Sequence, residues 1–235
     1  MLKIENTEVC AMEAAIRGAR NAMNSWHRMD SQTVRCGYDG WDQQFVVGSN
    51  DLDLMKRLAA AGPDHAKYLR YVEVYVDIEA PLYFWKEFKT YRKNRKFLDD
   101  GDEFLDPNDL ELHIETNSCS TMHKIHAKEF TLDDFSHEHL KGLYLKKMKN
   151  IITMLNDARA EYLESKDKDD WWQMIQLLPS SYNQRRTVKL NYQVLKNMYF
   201  ARRNHKLDEW HTFCDWTLTL PYFKEVCVDV MEGKK

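Results

Sequence analysis

The stretch LRYVEVYVDIEA, residues 69–80, is the feature that most constrains the fold of this chain. From its fourth residue onwards, every second position holds a β-branched side chain: Val72, Val74, Val76 and Ile78. A period of two with such residues is typical of a strand that buries one face in a core. Pro81 comes next, and proline is favoured in the first turn of a helix. We therefore predict a strand that runs directly into a helix ending at about Arg92.

Residues 179–210 are the second constraint, because neither glycine nor proline interrupts the chain between Pro179 and Pro221. Such a stretch allows an unbroken helix. Counting about 100° per residue from Val188 gathers the apolar side chains into one broad arc. Two polar residues, Asn191 and Arg202, fall inside that arc. We predict a helix over this stretch in which both residues face the apolar side.

The predicted helix also has a polar side. Its members are Lys189, Gln193, Lys196, Asn197 and Arg203, with Phe200 as the one apolar exception. A core-facing arginine must find a carboxylate, a phosphate or a path to water. Arg202 therefore either pairs with carboxylates of this chain or belongs to an anion site. Arg185, Arg186 and His205 supply further donors for such a site.

The rest of the chain predicts mixed α and β structure in which helices dominate. The predicted elements are a strand from Leu2, a helix from Glu13, and helices over residues 51–61, 136–165 (capped by Ser136), 169–178 and 208–220. Residues 21–50 are predicted as a loop and residues 93–115 as a charged connector. Because there is no internal repeat or low-complexity linker, we predict one domain over residues 1–235 with the connector as an insertion.

Composition excludes several classes of protein. The chain has 43% hydrophobic and 30% charged residues, which is typical of a globular protein and not of a disordered one. A net charge of −3 gives no overall nucleic-acid signature. Five cysteines without a Cys-x-x-Cys pair are typical of a reducing compartment. The sequence shows neither an apolar run of about 20 residues nor a signal-peptide core, so we expect a cytoplasmic protein without a membrane segment.

The histidines are the best candidates for a metal site. His123 and His126 would share one face of a helix, and His137 and His139 follow a short way on. A closed zinc site needs four placed ligands, however, and no third ligand has a recognisable spacing. Cys119 lies near this group as a conceivable nucleophile, but the sequence has no residue that orients it. We therefore predict no metal site, and the usual phosphate-binding and hydrolase motifs are absent.

The order of the segments resembles that of the flavin-dependent thymidylate synthases. Their first helix is similar to EAAIRGAR, and the helix, turn and strand before their signature are similar to LMKRLAAAG, PDH and YVEVYVDIEAP. The signature reads Arg-His-Arg, a short spacer, and Ser-x-Asn-Glu-x-Ser-x-Arg. This chain matches it at Arg92, Asn117 and Ser120, and departs from it at Thr90, Tyr91, Glu115, Ser118 and Met122. The 93–115 connector is also longer than the family's spacer.

The C-terminal half resembles the same family. Leu178-Pro179 and Asn191-x-x-x-Leu195 match its Leu-Pro and Asn-x-Arg-x-Leu, with Gln193 where an arginine is usual. Arg202-Arg203 is similar to the family's Leu-Arg. The heptapeptide HKLDEWH is similar to its His-Ala-Gln-x-Glu-Ile-Arg and keeps His205 and Glu209.

The resemblance implies a fold, a reaction and roles for individual residues. The fold is α+β, with a central antiparallel sheet and dominant helices. Members are homotetramers that hold FAD and dUMP in clefts between subunits; NADPH reduces the flavin, and methylenetetrahydrofolate donates the methylene that yields dTMP. The implied site residues are Arg92 and Arg202 for catalysis, Asn191, Gln193 and His205 for the cofactor, and Arg92, Asn117, Ser120 and Arg185 for the pyrimidine nucleotide.

Two other functions remain open from the sequence. The replaced signature positions favour a catalytically inactive protein of the same fold that binds a nucleotide or a protein partner. The histidine group would instead support a metal-dependent enzyme. Bound flavin distinguishes the synthase from the inactive protein, and stoichiometric metal in the purified protein would identify the third function.

Overall fold

The computed structural model describes residues 2–36, 42–92, 96–97, 103–104 and 114–233. Its strands are β1 (Lys3–Cys10), β2 (Gln32–Cys36), β3 (Asp42–Val46), β4 (Glu73–Pro81), β5 (Lys96–Phe97), β6 (Glu103–Phe104), β7 (Glu115–Ser118) and β8 (Asn183–Asn191). Its helices are α1 (Met12–Ala22), α2 (Ser49–Ala61), α3 (Leu82–Phe88), α4 (Gly142–Ser165), α5 (Lys168–Leu177), α6 (Tyr192–Arg202), α7 (Asp208–Thr217) and α8 (Val230–Glu232).

A four-stranded antiparallel sheet is the centre of the fold, with the strand order β1-β4-β8-β7. Strands β2 and β3 form a separate two-stranded antiparallel sheet, and so do β5 and β6. The predicted α+β class with a central antiparallel sheet and dominant helices is confirmed. None of the described helices is both long and apolar enough to cross a lipid bilayer.

Strand β4 confirms the strand that the alternating pattern predicts. Val74, Val76 and Ile78 are fully or almost fully buried, and the residues between them are half-buried. Pro81 ends the strand with an extended backbone and precedes α3. Helix α3 is shorter than predicted, because the chain tightens into a 3-10 turn over Lys89–Arg92.

Strand β8 corrects the prediction of a helix over the whole of residues 179–210. Its buried side chains alternate with less buried ones and are Gln184, Arg186, Val188 and Leu190. Pairing within the sheet thus overrides a helical pattern that rested on the apolar residues alone. Helix α6 begins only at Tyr192, where the Asn191 side chain accepts a hydrogen bond from the Val194 N–H at 3.0 Å and caps the helix.

Two further predictions need correction. Residues 21–50 are not all loop, because β2 pairs with β3 in a register that places Gln32 opposite Val46 and Thr33 opposite Phe45. Helix α4 begins at Gly142 and not near residue 136. The Ser136 hydroxyl donates instead to Asn183 Oδ1 at 2.9 Å, which ties the loop before α4 to β8.

The described chain divides into two compact units. The first comprises Met1–Glu5, Asp77–Lys93 and Thr116–Val188, and the second comprises Asn6–Val76, Asn94–Glu115 and Lys189–Lys235. In the first unit, α4 packs against α5 around an apolar cluster that includes Phe135, Leu155 and Met174. In the second unit, buried side chains of α2, α6 and α7 form the core, among them Met55 and Trp210. The single domain and its 93–115 insertion stay a prediction, since most of that insertion lies outside the described residues.

The start of α2 depends on a glycine that comes very close to Asp30. The Asp30 carboxylate accepts hydrogen bonds from the backbone N–H groups of Asn50 at 2.9 Å and Asp51 at 3.0 Å, and so caps α2 from a distant loop. A Cβ built on Gly48 would lie 2.2 Å from Asp30 Cγ and 2.6 Å from its backbone carbon. No other residue fits at Gly48 without displacing this cap.

We therefore expect Gly48→Ala to lower the free energy of unfolding by about 1–3 kcal/mol, because a methyl group would overlap Asp30. Gly18→Ala is the matched control. Gly18 lies within α1 and a Cβ there meets nothing within 4 Å. That variant should gain about 0.5–1 kcal/mol from the helix propensity of alanine. Urea unfolding measures both, and equal effects of the two variants would contradict the role of Gly48.

Candidate functional site

A cavity of about 550 Å³ lies beside α6 in the second unit. Its lining residues are Ala59, Gly62, Pro63, Gln193, Lys196, Asn197, Phe200, Ala201 and Met231. The α6 residues among them recur three and four positions apart, so they share one face of the helix. The opposite face of α6 holds its buried side chains, which include Val194, Leu195 and Met198.

The cavity has apolar walls and a small polar group. Pro63 follows Gly62, which ends α2 with a φ of 113° that disfavours other residues. Phe200 and Met231 supply further apolar surface. The Gln193 side-chain amide donates to Asn197 Oδ1 at 3.1 Å, so the two amides are held together on the helix surface. A mostly apolar wall with a few placed polar groups is typical of small-molecule sites.

Arg202, the last residue of α6, and His205, just after it, both contact the buried side chain of Trp210 in α7. The Arg202 guanidinium carbon lies 5.0 Å from the centre of the Trp210 ring. The His205 ring meets Trp210 edge-on, with 6.2 Å between the ring centroids. His205 Nδ1 accepts a hydrogen bond from the Leu207 N–H at 3.2 Å, and in the neutral ring this leaves the proton on Nε2. The arrangement places a cation and a hydrogen-bond donor beside one rigid ring.

Arg185 lies in the first unit, on β8, within a group of carboxylates. Its Nη2 is 3.1 Å from Asp77 Oδ2 and 2.9 Å from Glu5 Oε2. The hydrogen bond with Asp77, followed by the attraction of Glu5, raises the pKa of Arg185 above its ordinary value. The Thr187 hydroxyl donates to the other oxygen of Asp77 at 2.6 Å. An anionic ligand must therefore compete with two carboxylates for Arg185.

Asn117 and Ser120 lie on and just after β7, alongside β8. The Cys119 N–H donates to the Arg185 carbonyl oxygen at 3.0 Å, which fixes this segment against the strand. Ser120 Oγ accepts hydrogen bonds from the N–H groups of Met122 and His123 and so stabilises the turn that follows. Asn117 and Ser120 are both exposed.

A buried arginine supports this region from the other face of β8. Arg186 donates through Nε and Nη2 to Gln184 Oε1, at 3.1 and 2.7 Å. Its guanidinium carbon also lies 4.3 Å from the centre of the Trp85 ring. The Gln184 side-chain amide in turn donates to the Cys119 carbonyl oxygen at 2.6 Å. Arg186 thus takes part in a network that positions the segment carrying Ser120.

The predicted site residues fall into two groups. Asn117, Ser120 and Arg185 come together on β7, β8 and the turn after β7. The other group is Asn191, Gln193, Arg202 and His205, which belong to α6 and its ends. Within it, Gln193 lines the cavity, while Asn191 caps the helix. The side chain of Arg92 lies outside the described part of the structure.

Lys196, Asn197 and Met231 also line the cavity, although the sequence did not identify them as site residues. The signal for two of them was present, because Gln193, Lys196, Asn197 and Phe200 follow helical spacing on the polar side of α6. Phe200 was the apolar exception on that side, and it is exposed to the cavity rather than packed in the core. Met231 has no such signal, since it comes from the C-terminal helix α8.

The structure describes the surroundings of His123 and His126, the first two histidines of the candidate metal group. His123 is exposed, whereas the His126 ring packs edge-on against Tyr162 with 4.9 Å between the ring centroids. Among the described residues, no group of three or more His, Cys, Asp or Glu side chains is arranged to hold a metal ion. Cys119 is an exposed free thiol.

Comparison with protein-family models finds no match, and neither does comparison with curated protein sequences. Solved structures do match over nearly the whole chain. Thymidylate synthase X from Helicobacter pylori, solved with FAD and dUMP, matches with a TM-score of 0.63 at 14% identity, covering 99% of this chain and 100% of that one. A second structure of the Helicobacter pylori enzyme, described as the flavin-dependent thymidylate synthase complexed with FAD and dUMP, matches with a TM-score of 0.58 at 15% identity, covering 97% and 99%.

The UMP/dUMP methylase PolB from Streptomyces cacaoi, bound with 5-Br dUMP, also matches. Its TM-score is 0.55 at 13% identity, and the match covers 96% of this chain and 93% of that one. The predicted resemblance is thereby confirmed at the level of architecture. This chain has the fold of the flavin-dependent thymidylate synthases.

Proposed function

We propose that the protein is a flavoenzyme that modifies a pyrimidine nucleotide, with the reductive methylation of dUMP to dTMP as its reaction. The observation that carries this proposal is the cavity on α6, because it contains Gln193, a residue that the family resemblance assigned to the cofactor. The structures of similar fold support it, since those of the Helicobacter pylori enzyme contain FAD and dUMP and that of PolB contains 5-Br dUMP. NADPH and methylenetetrahydrofolate are the co-substrates.

The cavity fits the ring system of FAD in size and chemistry. Its volume of about 550 Å³ lies within the range of roughly 300–1,000 Å³ of small-molecule sites. An isoalloxazine is flat and largely apolar, and Phe200 and Met231 offer it apolar surfaces. Its pyrimidine edge needs hydrogen-bonding partners, which the Gln193–Asn197 amide pair provides. Lys196 adds a positive charge that favours the electron-rich reduced ring.

The remaining site residues bind the nucleotide and stabilise negative charge that develops in the reaction. When bound, FAD supplies the hydride chemistry of the reaction. Arg202, placed against Trp210, stabilises negative charge that develops in the reaction, and the His205 ring beside the same tryptophan contacts the cofactor. Asn117, Ser120 and Arg185 contact the nucleotide, with Arg185 exchanging a carboxylate partner for the phosphate.

The visible absorption spectrum of the purified protein tests the cofactor directly, before and after addition of FAD and dialysis. We expect a retained flavin band, followed by NADPH oxidation that requires dUMP. Gln193→Leu should weaken FAD binding about three- to tenfold, because a hydrogen bond to the ring is lost. Gln176→Leu, an exposed glutamine of α5, is the matched control and should leave binding unchanged. No flavin after reconstitution would overturn the proposal.

A catalytically inactive nucleotide-binding protein is the second candidate function. The replaced signature positions favour it, because Ser118 and Met122 stand where the family has a glutamate and an arginine. This function predicts a stable nucleotide complex in a protein that takes up no flavin. Calorimetry with dUMP and UMP on flavin-free protein distinguishes it from the enzyme. Sedimentation velocity on the same samples tests the homotetramer that the family resemblance implies.

A further inference from the structure

The C-terminal helix α8 contributes one wall of the cavity on α6. Met231 lines the cavity, and the next residue, Glu232, forms an ion pair with Arg203 in which Oε1 and Nη1 are 2.6 Å apart. Helix α8 follows a π-helical turn over Lys224–Asp229 and packs against α2. The position of Met231 therefore depends on how α8 is held.

Arg203 also contacts a lining residue that belongs to α6. Its guanidinium carbon lies 5.0 Å from the centre of the Phe200 ring, and Phe200 lines the cavity. The hydrogen bond to Glu232 is the main reason that the pKa of Arg203 lies above its ordinary value. The Arg203 guanidinium thus contacts both the Phe200 ring of α6 and the carboxylate of Glu232, the α8 residue next to Met231.

We propose that Arg203 is a positioning residue that clamps Met231 and Phe200 together as the two apolar walls of this cavity, and that the clamp opens to admit the flavin. The inference rests on the proposed function, since it names FAD as the molecule admitted. The side chains of Arg203 and Glu232 are 29% and 50% exposed. An ion pair this accessible is weak and easily broken. It can therefore release α8 without unfolding the core.

The first experiment measures the clamp without any ligand. In Glu232→Gln the pair is broken, and Met231 should be oxidised by dilute hydrogen peroxide about two- to fivefold faster than in the wild type, as followed by mass spectrometry. Met154, an exposed methionine of α4, is the internal reference. Asp53→Asn is the matched control, because it breaks the exposed Arg57–Asp53 pair of α2, whose N–O distance is 2.9 Å. Equal Met231 oxidation in all three proteins overturns the clamp.

The second experiment measures FAD dissociation from the holoprotein. Glu232→Gln and Arg203→Gln should accelerate dissociation about two- to fivefold, and Arg203→Lys should do so less because it keeps the charge. Combining Arg203→Glu with Glu232→Arg re-forms the pair and should restore both the slower oxidation of Met231 and the slower dissociation of FAD, whereas a merely structural role of Arg203 would leave FAD dissociation unchanged throughout. Unchanged dissociation in these variants overturns the inference. If the wild type binds no FAD, the proposed function fails, and the oxidation of Met231 alone decides the clamp.

Discussion

Replacing Asp51 with asparagine is expected to lower the free energy of unfolding by about 3–5 kcal/mol at neutral pH, because it leaves a buried arginine without its carboxylate. Arg20 Nε lies 2.7 Å from Asp51 Oδ1, and the two side chains are 3% and 0% exposed. Asp51 Oδ2 also accepts hydrogen bonds from the N–H groups of Asp30 at 3.0 Å and Ser31 at 2.8 Å, and from the Ser31 hydroxyl at 2.6 Å. One carboxylate thus connects α1, α2 and the loop before β2.

The same carboxylate gives the effect a definite pH dependence. Burial opposes ionisation of Asp51, but the hydrogen bonds from Ser31 and Arg20 outweigh it and hold its pKa below the ordinary value. A depressed pKa stabilises the folded state above the unfolded-state value of about 3.9. This contribution is lost as the pH falls from that value through the lower folded-state pKa. Urea unfolding from pH 7 to pH 3 should therefore show the difference between wild type and Asp51→Asn shrinking in acid.

A double variant separates the unpaired charge from the lost hydrogen bonds. Arg20→Met combined with Asp51→Asn removes the guanidinium, while the asparagine oxygen still accepts from the Ser31 N–H. We expect this protein to recover part of the loss, because a buried pair costs most when only one partner is removed. A double variant that is as unstable as the sum of the two single variants would show that the two residues do not act as a pair.

The parts of the fold that were predictable are those where several signals agree. Strand β4 combines alternation, β-branched residues and a terminal proline, and the structure follows all three. Strand β8 lacked this agreement, because Val188 and Leu190 fit a helical arc as well as a strand face. Its other buried positions, Gln184 and Arg186, are polar and carry no apolar signal. What decides the outcome is pairing within the sheet, which is a non-local interaction.

Local patterns also failed where the chain makes long-range hydrogen bonds. Ser136 looks like a helix cap, but its hydroxyl is bonded to Asn183, far along the chain. Helix α2 is capped by Asp30, which comes from a distant loop and not from the neighbouring sequence. Ser136 has the right chemistry for a helix cap, but only the tertiary structure determines which groups its side chain can reach.

Only part of the candidate site was predictable, because some of its residues come together only in the folded chain. The family resemblance selected Gln193, and helical spacing extends that selection to Asn197 and Phe200. Met231 comes from α8, which only the folded chain brings to the cavity. Arg185 has the chemistry of a nucleotide donor, yet the alternation of β1 and β4 also places Glu5 and Asp77 beside it. Sequence identifies what a side chain can bind, and packing decides what it meets.

Filling the cavity is expected to have the largest effect on cofactor binding. Ala201 is exposed and lines the cavity from α6, so a tryptophan at this position can enter the cavity without disturbing the core. Ala201→Trp should weaken FAD binding by more than about tenfold, or 1.4 kcal/mol, because the indole occupies the space that the flavin ring needs. The free energy of unfolding should stay within about 0.5 kcal/mol of the wild type, as for most surface substitutions.

Ala160→Trp is the matched control for this variant, because Ala160 is an exposed alanine in α4 and does not line the cavity. It adds the same indole to a helix surface and should leave FAD binding unchanged. Fluorescence titration with FAD measures both variants. Loss of binding in Ala201→Trp alone locates the flavin in the α6 cavity, since the two proteins differ only in where the indole lies. Equal binding by both variants and the wild type would place any flavin elsewhere on the protein and would contradict the assignment of Gln193 to the cofactor.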